Sequence, residues 1–168
     1  MSKFEVGELL ERKQVYEGKI VDLVVDRIRI NGMETVREVV RHPGGVVVLA
    51  EVEGKGIPFV RQHRYPMDED LLELPAGKID PGEDPAESAG REFEEETGYR
   101  AGRLTPVCSF YTSPGFCDEL LHFYFAEDLT SVAQNTEPDE DLELVFCSLE
   151  EALEMISRGE IRDAKTVS

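Results

Sequence analysis

Glu92, Glu95 and Glu96 stand three, four and one residues apart within the segment Arg91–Thr97. On a helix, positions three and four apart share a face, so Glu92 lies beside both of the others. Like charges at that spacing weaken an isolated helix by roughly 0.2–0.5 kcal/mol per pair. Arg91, four residues before Glu95, offsets part of this, and a solvated acidic face softened by one arginine is the plainest account of such a run. The approach to the helix argues for more. Gly77 and Gly82 flank a tight turn, and Glu83 stands directly before the helix start. A carboxylate cluster beside a glycine turn offers what a hard divalent cation takes. Mg2+ typically uses one or two carboxylates and completes its shell with substrate phosphates and water. Such an ion polarises a phosphoryl group, offsets its charge and orients an attacking water.

The element that carries these groups has sharp limits. Asp84-Pro85-Ala86-Glu87 reads as a helix start: an aspartate cap, proline at the first helical position and an acid three residues on. The helix is predicted to run to Thr97 and to end on Gly98. Around it the pattern is strand-like. The first forty residues alternate, and Ile20–Ile30 and Glu34–Val40 flank Asn31-Gly32, a strong hairpin signal. A second hairpin is expected from Val46–Val52 and Ile57–Gln62, then a short strand Leu71–Leu74 stopped by Pro75. Strands return at Pro106–Tyr111, Leu120–Ala126 and Leu142–Cys147, the last preceded by an acidic loop from Glu127 to Asp141. Ser148 and Glu151 form a capping box for a helix over Leu149–Arg158, closed by Gly159. The expectation is an α+β chain with a β-rich arm over residues 1–43 and a catalytic domain over 44–168.

Composition narrows the functions open to it. The 168 residues suit about one domain. Acidic residues outnumber basic ones 36 to 18, a net charge of −18 that repels nucleic-acid backbones and anionic membrane surfaces. The longest apolar run, Val46–Ala50, is far short of the ~20 residues that cross a bilayer. Residues 1–5 carry no apolar signal core. Cys108, Cys117 and Cys147 are odd in number and form no CxxC pair, so they read as free, mostly buried thiols of a reducing, cytoplasmic setting.

The stretch Gly77-Lys78-Ile79-Asp80-Pro81-Gly82-Glu83 leads through seven residues to Arg91-Glu92-Phe93-Glu94-Glu95-Glu96-Thr97-Gly98-Tyr99. It resembles the Nudix box, GX5EX7REUXEEXGU with U a bulky apolar residue, and agrees at every defined position. The resemblance implies the Nudix fold, a mixed β-sheet sandwiched between helices, and hydrolysis of a diphosphate bond with Mg2+, or Mn2+ in its place. It implies that Glu92 and Glu96 bind metal, that Glu95 assists both ligation and catalysis, and that Arg91 holds the cluster by ion pairing. The carbonyl of Ala76 would be a further ligand, and Glu83 would support the loop beside the substrate.

Segments outside the box resemble ADP-ribose pyrophosphatases. Ser113-Pro114-Gly115-Phe116-Cys117-Asp118-Glu119 is similar to their SPGF-x-x-E loop, Arg61-Gln62-His63-Arg64 to their RQxR strand, and Glu73-Leu74-Pro75-Ala76-Gly77 to their ELPAG segment. His63 departs from the tyrosine common there. The final helix, at Asp163-Ala164-Lys165-Thr166, is expected to be short or missing. The likeness implies conversion of ADP-ribose and water to AMP and ribose 5-phosphate. Glu119 would orient or deprotonate the water, while Arg64, Ser113 and Gly115 would contact substrate. It also implies a homodimer with exchanged N-terminal arms, in which Arg37 and Glu38 reach the partner's substrate. Physical reasoning agrees: a lone hairpin is marginal, and long edge strands invite pairing. Two rivals stand beside this reading: hydrolysis of another nucleoside diphosphate sugar or a damaged nucleotide, and a non-catalytic ADP-ribose or nucleotide-sugar sensor on the same fold.

Overall fold

The computed structural model describes residues 6–136 and 141–168; residues 1–5 and 137–140, the latter within the acidic loop, lie outside it. Two compact units result, Met1–Gly44 with Tyr111–Leu120, and Gly45–Phe110 with Leu121–Ser168.

The first unit carries an antiparallel sheet of β1 (Glu8–Glu17), β2 (Asp22–Ile30) and β3 (Met33–Arg41), in that order. Asn31 and Gly32 turn the chain between β2 and β3 with φ of 50° and 73°. Both central residues of a type I′ hairpin turn require that sign, which is why Asn-Gly signals it. β1 extends the expected hairpin to three strands. Asp26 is buried in β2, and Arg12 of β1 clasps it with bonds of 2.7 and 2.6 Å. Those bonds hold the Asp26 carboxyl below its usual range against the opposing effect of burial. Leu9, Val15, Tyr16, Met33 and Val36 leave large apolar side chains exposed on this sheet.

The second unit is built on β4 (Gly45–Ala50), β5 (Ile57–Arg64), β6 (Glu69–Glu73), β7 (Ala76–Lys78), α1 (Pro85–Thr97), β8 (Tyr99–Arg100), β9 (Arg103–Tyr111), β10 (Leu120–Glu127), β11 (Thr130–Ser131), β12 (Leu142–Cys147), α2 (Leu149–Arg158) and α3 (Ala164–Val167). A mixed sheet runs β7-β4-β10-β9, with β4 antiparallel to β7 and parallel to β10. A second, antiparallel sheet runs β12-β5-β6, and β8 pairs with β11. The expected hairpin of β4 with β5 does not form. A Val52–Gly56 bridge closes that turn, but the two strands enter different sheets. Burial explains this. Val46, Val48 and Ala50 pack with Ala89 and Phe93 of α1, whereas Val47 packs with Phe59, Phe123 and Ala152 of α2. A strand buried on both faces belongs inside a sheet, and β4 has both edges taken by β7 and β10.

Helix limits follow their local signals. Asp84 accepts the Ala86 N–H at α1, and Gly98 closes it with φ 70°. Ser148 and Glu151 form the capping box at α2. The short α3 is the abbreviated final helix expected from sequence. The thiols depart from expectation, for Cys147 is buried but Cys108 is exposed. Cys108 lies on β9, the last strand of its sheet, where most side chains are exposed.

Candidate active site

Ala89 and Phe93 are fully buried and fix α1 against the sheet. Two glutamates of α1 then meet β7. Glu96 is only 3% exposed, and its Oε2 accepts the Ala76 N–H at 2.9 Å. The Glu92 carboxylate lies against the bare Cα of Gly77: a Cβ there would stand 1.9 Å from its carbon and 2.3 Å from each oxygen. Glycine at this point of the motif makes room for a carboxylate.

Arg91 gathers the rest. Its Nε and Nη2 donate to the two oxygens of Glu83 at 3.0 Å each, and its Nη1 donates to Glu92 at 2.8 Å and Glu95 at 3.2 Å. The bonds to Glu83, then those to Glu92, raise the Arg91 pKa. In return, hydrogen bonds from Arg91 hold the Glu83 carboxyl down at about 2, helped by Ser88 and the Asp80 backbone. The cluster is thus closed on a guanidinium, and among the described residues no three His, Cys, Asp or Glu side chains are arranged around a common ion position. Its donor chemistry nonetheless suits a hard divalent cation. Three carboxylates and the Ala76 backbone are oxygen donors on adjoining elements, without the thiolate or imidazole that zinc prefers.

The end of α1 is also secured. Gly98 N–H donates to the Glu94 carbonyl at 2.9 Å, Asn135 N–H to Glu95 at 3.1 Å, and the Gln134 side-chain amide to Glu96 at 2.6 Å. These bonds satisfy carbonyls that a helix end leaves open. Nothing in the sequence singles out Gln134, because its partner is 38 residues away.

Arg64, expected to face substrate, commits its Nε and Nη2 to Glu73 through two bonds of 2.6 Å. Glu73 is 1% exposed and also receives Lys165. Burial pushes the Glu73 carboxyl up, yet Arg64 and Lys165 bring it below its usual range.

In the first unit, Thr112 Oγ1 donates to Glu119 Oε2 at 2.7 Å, and Glu119 Oε1 lies 3.3 Å from His42 Nδ1. That same Nδ1 accepts the Gly44 N–H at 3.1 Å. The structure thus sets His42, which belongs to no motif of the sequence, against Glu119. Asp118 is occupied elsewhere, taking Arg41 at 2.7 Å and the His42 N–H at 2.9 Å. The Ser113 carbonyl accepts the N–H groups of Phe116 and Cys117, which shapes the loop, and Gly115 stands in open space. Arg37 and Glu38 are exposed on β3, with Arg37 bonded to Thr35 and the Val36 carbonyl.

The Glu83 pairing gives a pH test. Its folded pKa is depressed from 4.5 to about 2, so its stabilisation is present above about pH 4.5 and lost as pH falls through about 2. Glu83→Gln should therefore lower the melting temperature at neutral pH, with the gap to the parent closing as acid approaches pH 2. A gap that stays constant over thermal scans from pH 7 to pH 3 would show that the Glu83 charge is not what Arg91 holds.

The chain is similar to known proteins over most of its length. A NUDIX domain model matches residues 40–168. The chain is 44% identical over 160 residues to an ADP-ribose pyrophosphatase of Bacillus subtilis (strain 168), covering 94% of this chain and 86% of the relative. It is 42% identical over 170 residues to a methanol dehydrogenase activator of Bacillus methanolicus, covering 96% and 92%. The crystal structure of an ADP compounds hydrolase superposes with a TM-score of 0.85 at 21% identity, covering 99% of this chain and 91% of the other, a likeness of fold. With the complete box on α1 and its approach, and a family match over most of its length, this chain belongs to the NUDIX domain family.

Proposed function

We propose that this protein is a Mg2+-dependent ADP-ribose diphosphatase, acting in the cytoplasm on a nucleoside diphosphate sugar. Water adds across the diphosphate bridge, its oxygen to one phosphorus and its proton to the departing phosphate, giving AMP and ribose 5-phosphate. The observation that carries this is the α1 carboxylate cluster seated on Ala76 and Gly77. The substrate rests on relatives named ADP-ribose pyrophosphatase, at 44% identity in Bacillus subtilis and 35% in Mycobacterium tuberculosis.

Glu92, Glu95, Glu96 and the Ala76 carbonyl would hold the ion, which supplies charge neutralisation and polarisation at phosphorus. Arg91 has a defined part in this. With Glu92 and Glu95 holding the ion, Arg91 Nη1 would be released, while Nε and Nη2 would keep their bonds to Glu83. The helix face then retains one cation to balance its acids. Arg64 keeps an Nη1 group beyond its bonds to Glu73 with which to meet a diphosphate oxygen. Ser113 and Gly115 shape the loop that presents Glu119, the base, with Thr112 fixing one of its oxygens.

Incubation with Mg2+ and ADP-ribose, ADP-glucose, GDP-mannose or 8-oxo-dGTP tests the assignment. AMP formed fastest from ADP-ribose supports it. GDP-mannose has a specific claim, since a GDP-mannose pyrophosphatase of Escherichia coli is 35% identical over 147 residues. Binding of ADP-ribose without turnover would identify a sensor instead.

Glu119→Gln should depress the rate at saturating substrate by about a hundredfold and leave ADP-ribose affinity nearly intact, as loss of a general base does. A variant that loses affinity but keeps its rate would make Glu119 a binding residue.

The resemblance to ADP-ribose pyrophosphatases implies a homodimer with exchanged N-terminal arms, in which Arg37 and Glu38 would reach the neighbouring substrate. The exposed Leu9, Val15, Tyr16, Met33 and Val36 support it, because apolar side chains left exposed on a sheet favour association and a two-fold dimer is the commonest closed form. Light scattering at micromolar concentration should give twice the chain mass; a value near 18.9 kDa would reject it.

A further inference from the structure

Glu73 stands three residues before Ala76 and is among the most deeply buried groups of the chain. Its carboxylate takes both Arg64 and Lys165. Burying a carboxylate between two cations brings little net stability, since desolvation consumes most of the attraction. Its placement points to another use. The turn that supplies Lys165 also grips the next residue: Thr166 Oγ1 accepts the Leu74 N–H at 2.9 Å and donates to Asp163 Oδ2 at 2.6 Å. Asp163 in turn holds Lys165 Nζ at 2.9 Å. The Asp163–Thr166 turn therefore fixes two consecutive residues, Glu73 by its side chain and Leu74 by its backbone.

The seat of the carboxylate cluster comes next along the chain. The Pro75 carbonyl accepts the Val48 N–H at 2.9 Å, Ala76 N–H binds Glu96, and Gly77 carries the Glu92 carboxylate. A segment of five residues is thus anchored at its first two positions by a turn about ninety residues distant in sequence. Its last two positions receive the glutamates.

We propose that Lys165 and Thr166 are positioning residues for the metal-binding carboxylates, acting through Glu73 and Leu74 on the backbone that seats Glu96 and Glu92. This rests on the reading that Glu92, Glu96 and Ala76 hold a divalent ion. Groups that orient metal ligands without touching the ion typically change affinity 10–100-fold when removed. A clasp that served stability alone would lower the melting temperature and leave metal affinity where it was.

The experiment is Mn2+ binding to the metal-free full-length protein, read from the electron paramagnetic resonance of free Mn2+ beside a thermal melt. Lys165→Met should weaken Mn2+ binding about tenfold, and Lys165→Arg should recover most of it. Thr166→Val, which removes the acceptor for the Leu74 N–H and the donor to Asp163 but no charge, should weaken binding in the same direction, at the low end of that range. Folded Lys165→Met protein with the parent's Mn2+ affinity overturns the proposal, whatever its melting temperature. If Lys165→Met does not fold, Thr166→Val decides, and unchanged affinity there overturns it equally. Glu96→Gln is measured alongside. Should it bind Mn2+ as the parent does, the metal reading itself falls and takes the clasp with it. Loss in Glu96→Gln with no change in the Lys165 and Thr166 variants rejects the clasp alone.

Discussion

Glu96→Gln should cost at least about a hundredfold in turnover of ADP-ribose while leaving the protein folded, because metal assistance supplies several kcal/mol of a hydrolytic barrier. The substitution is nearly isosteric. A glutamine oxygen still accepts the Ala76 N–H, so the contact between α1 and β7 survives. The helix keeps its Asp84 cap, its Gly98 end and the Gln134 bond to the backbone of residue 96. What disappears is a negative charge on a group only 3% exposed, the kind of site where an ion's attraction is least screened. Chelator should abolish activity in the parent, and millimolar Mg2+ should restore it. The variant should stay inactive at any Mg2+ concentration, with a circular dichroism spectrum unchanged from the parent. Full turnover in that folded variant would remove α1 from the mechanism.

The parts of this site legible in the sequence are those made within a few residues. The Asp84 cap, the Gly98 end and the i,i+4 bond of Arg91 to Glu95 all close inside one stretch of chain. So does the Asn31-Gly32 turn, whose backbone signs are a local preference. Partners chosen across long loops were not legible. The edge that β4 offers goes to β10, which returns some seventy residues later, and not to β5 next to it in sequence. Arg64 looks like a free guanidinium in a strand until Glu73 and, through it, Lys165 are folded against it. His42 carries no motif that announces Glu119, and its position depends on loop Tyr111–Leu120 lying along the end of β3. A carboxylate pattern names the chemistry, but which cation each carboxylate meets is decided by tertiary packing.

Gly77→Ala should be as damaging as loss of a ligand, and for a reason that separates the two glycines leading into α1. No left-handed φ is found at Gly77, so β7 accepts alanine without backbone strain. The added methyl group would nonetheless stand 1.9 Å from the Glu92 carboxylate carbon, where nothing fits. The obstructing atoms are the end of a flexible side chain, so the carboxylate swings away and the strand stays. The expected result is a fall in turnover of about a hundredfold, a raised Mg2+ requirement and a small change in melting temperature. Gly82 is the opposite case, with φ 84° and no atom within 4 Å of the place a methyl group would take. Alanine there costs roughly 1–2 kcal/mol of backbone strain and displaces no carboxylate, so Gly82→Ala should melt earlier yet turn over near the parent rate. Measuring kcat, Mg2+ dependence and thermal unfolding for the two variants separates these effects. Should Gly77→Ala keep the parent's turnover and Mg2+ requirement, Glu92 does not act from its seat on β7.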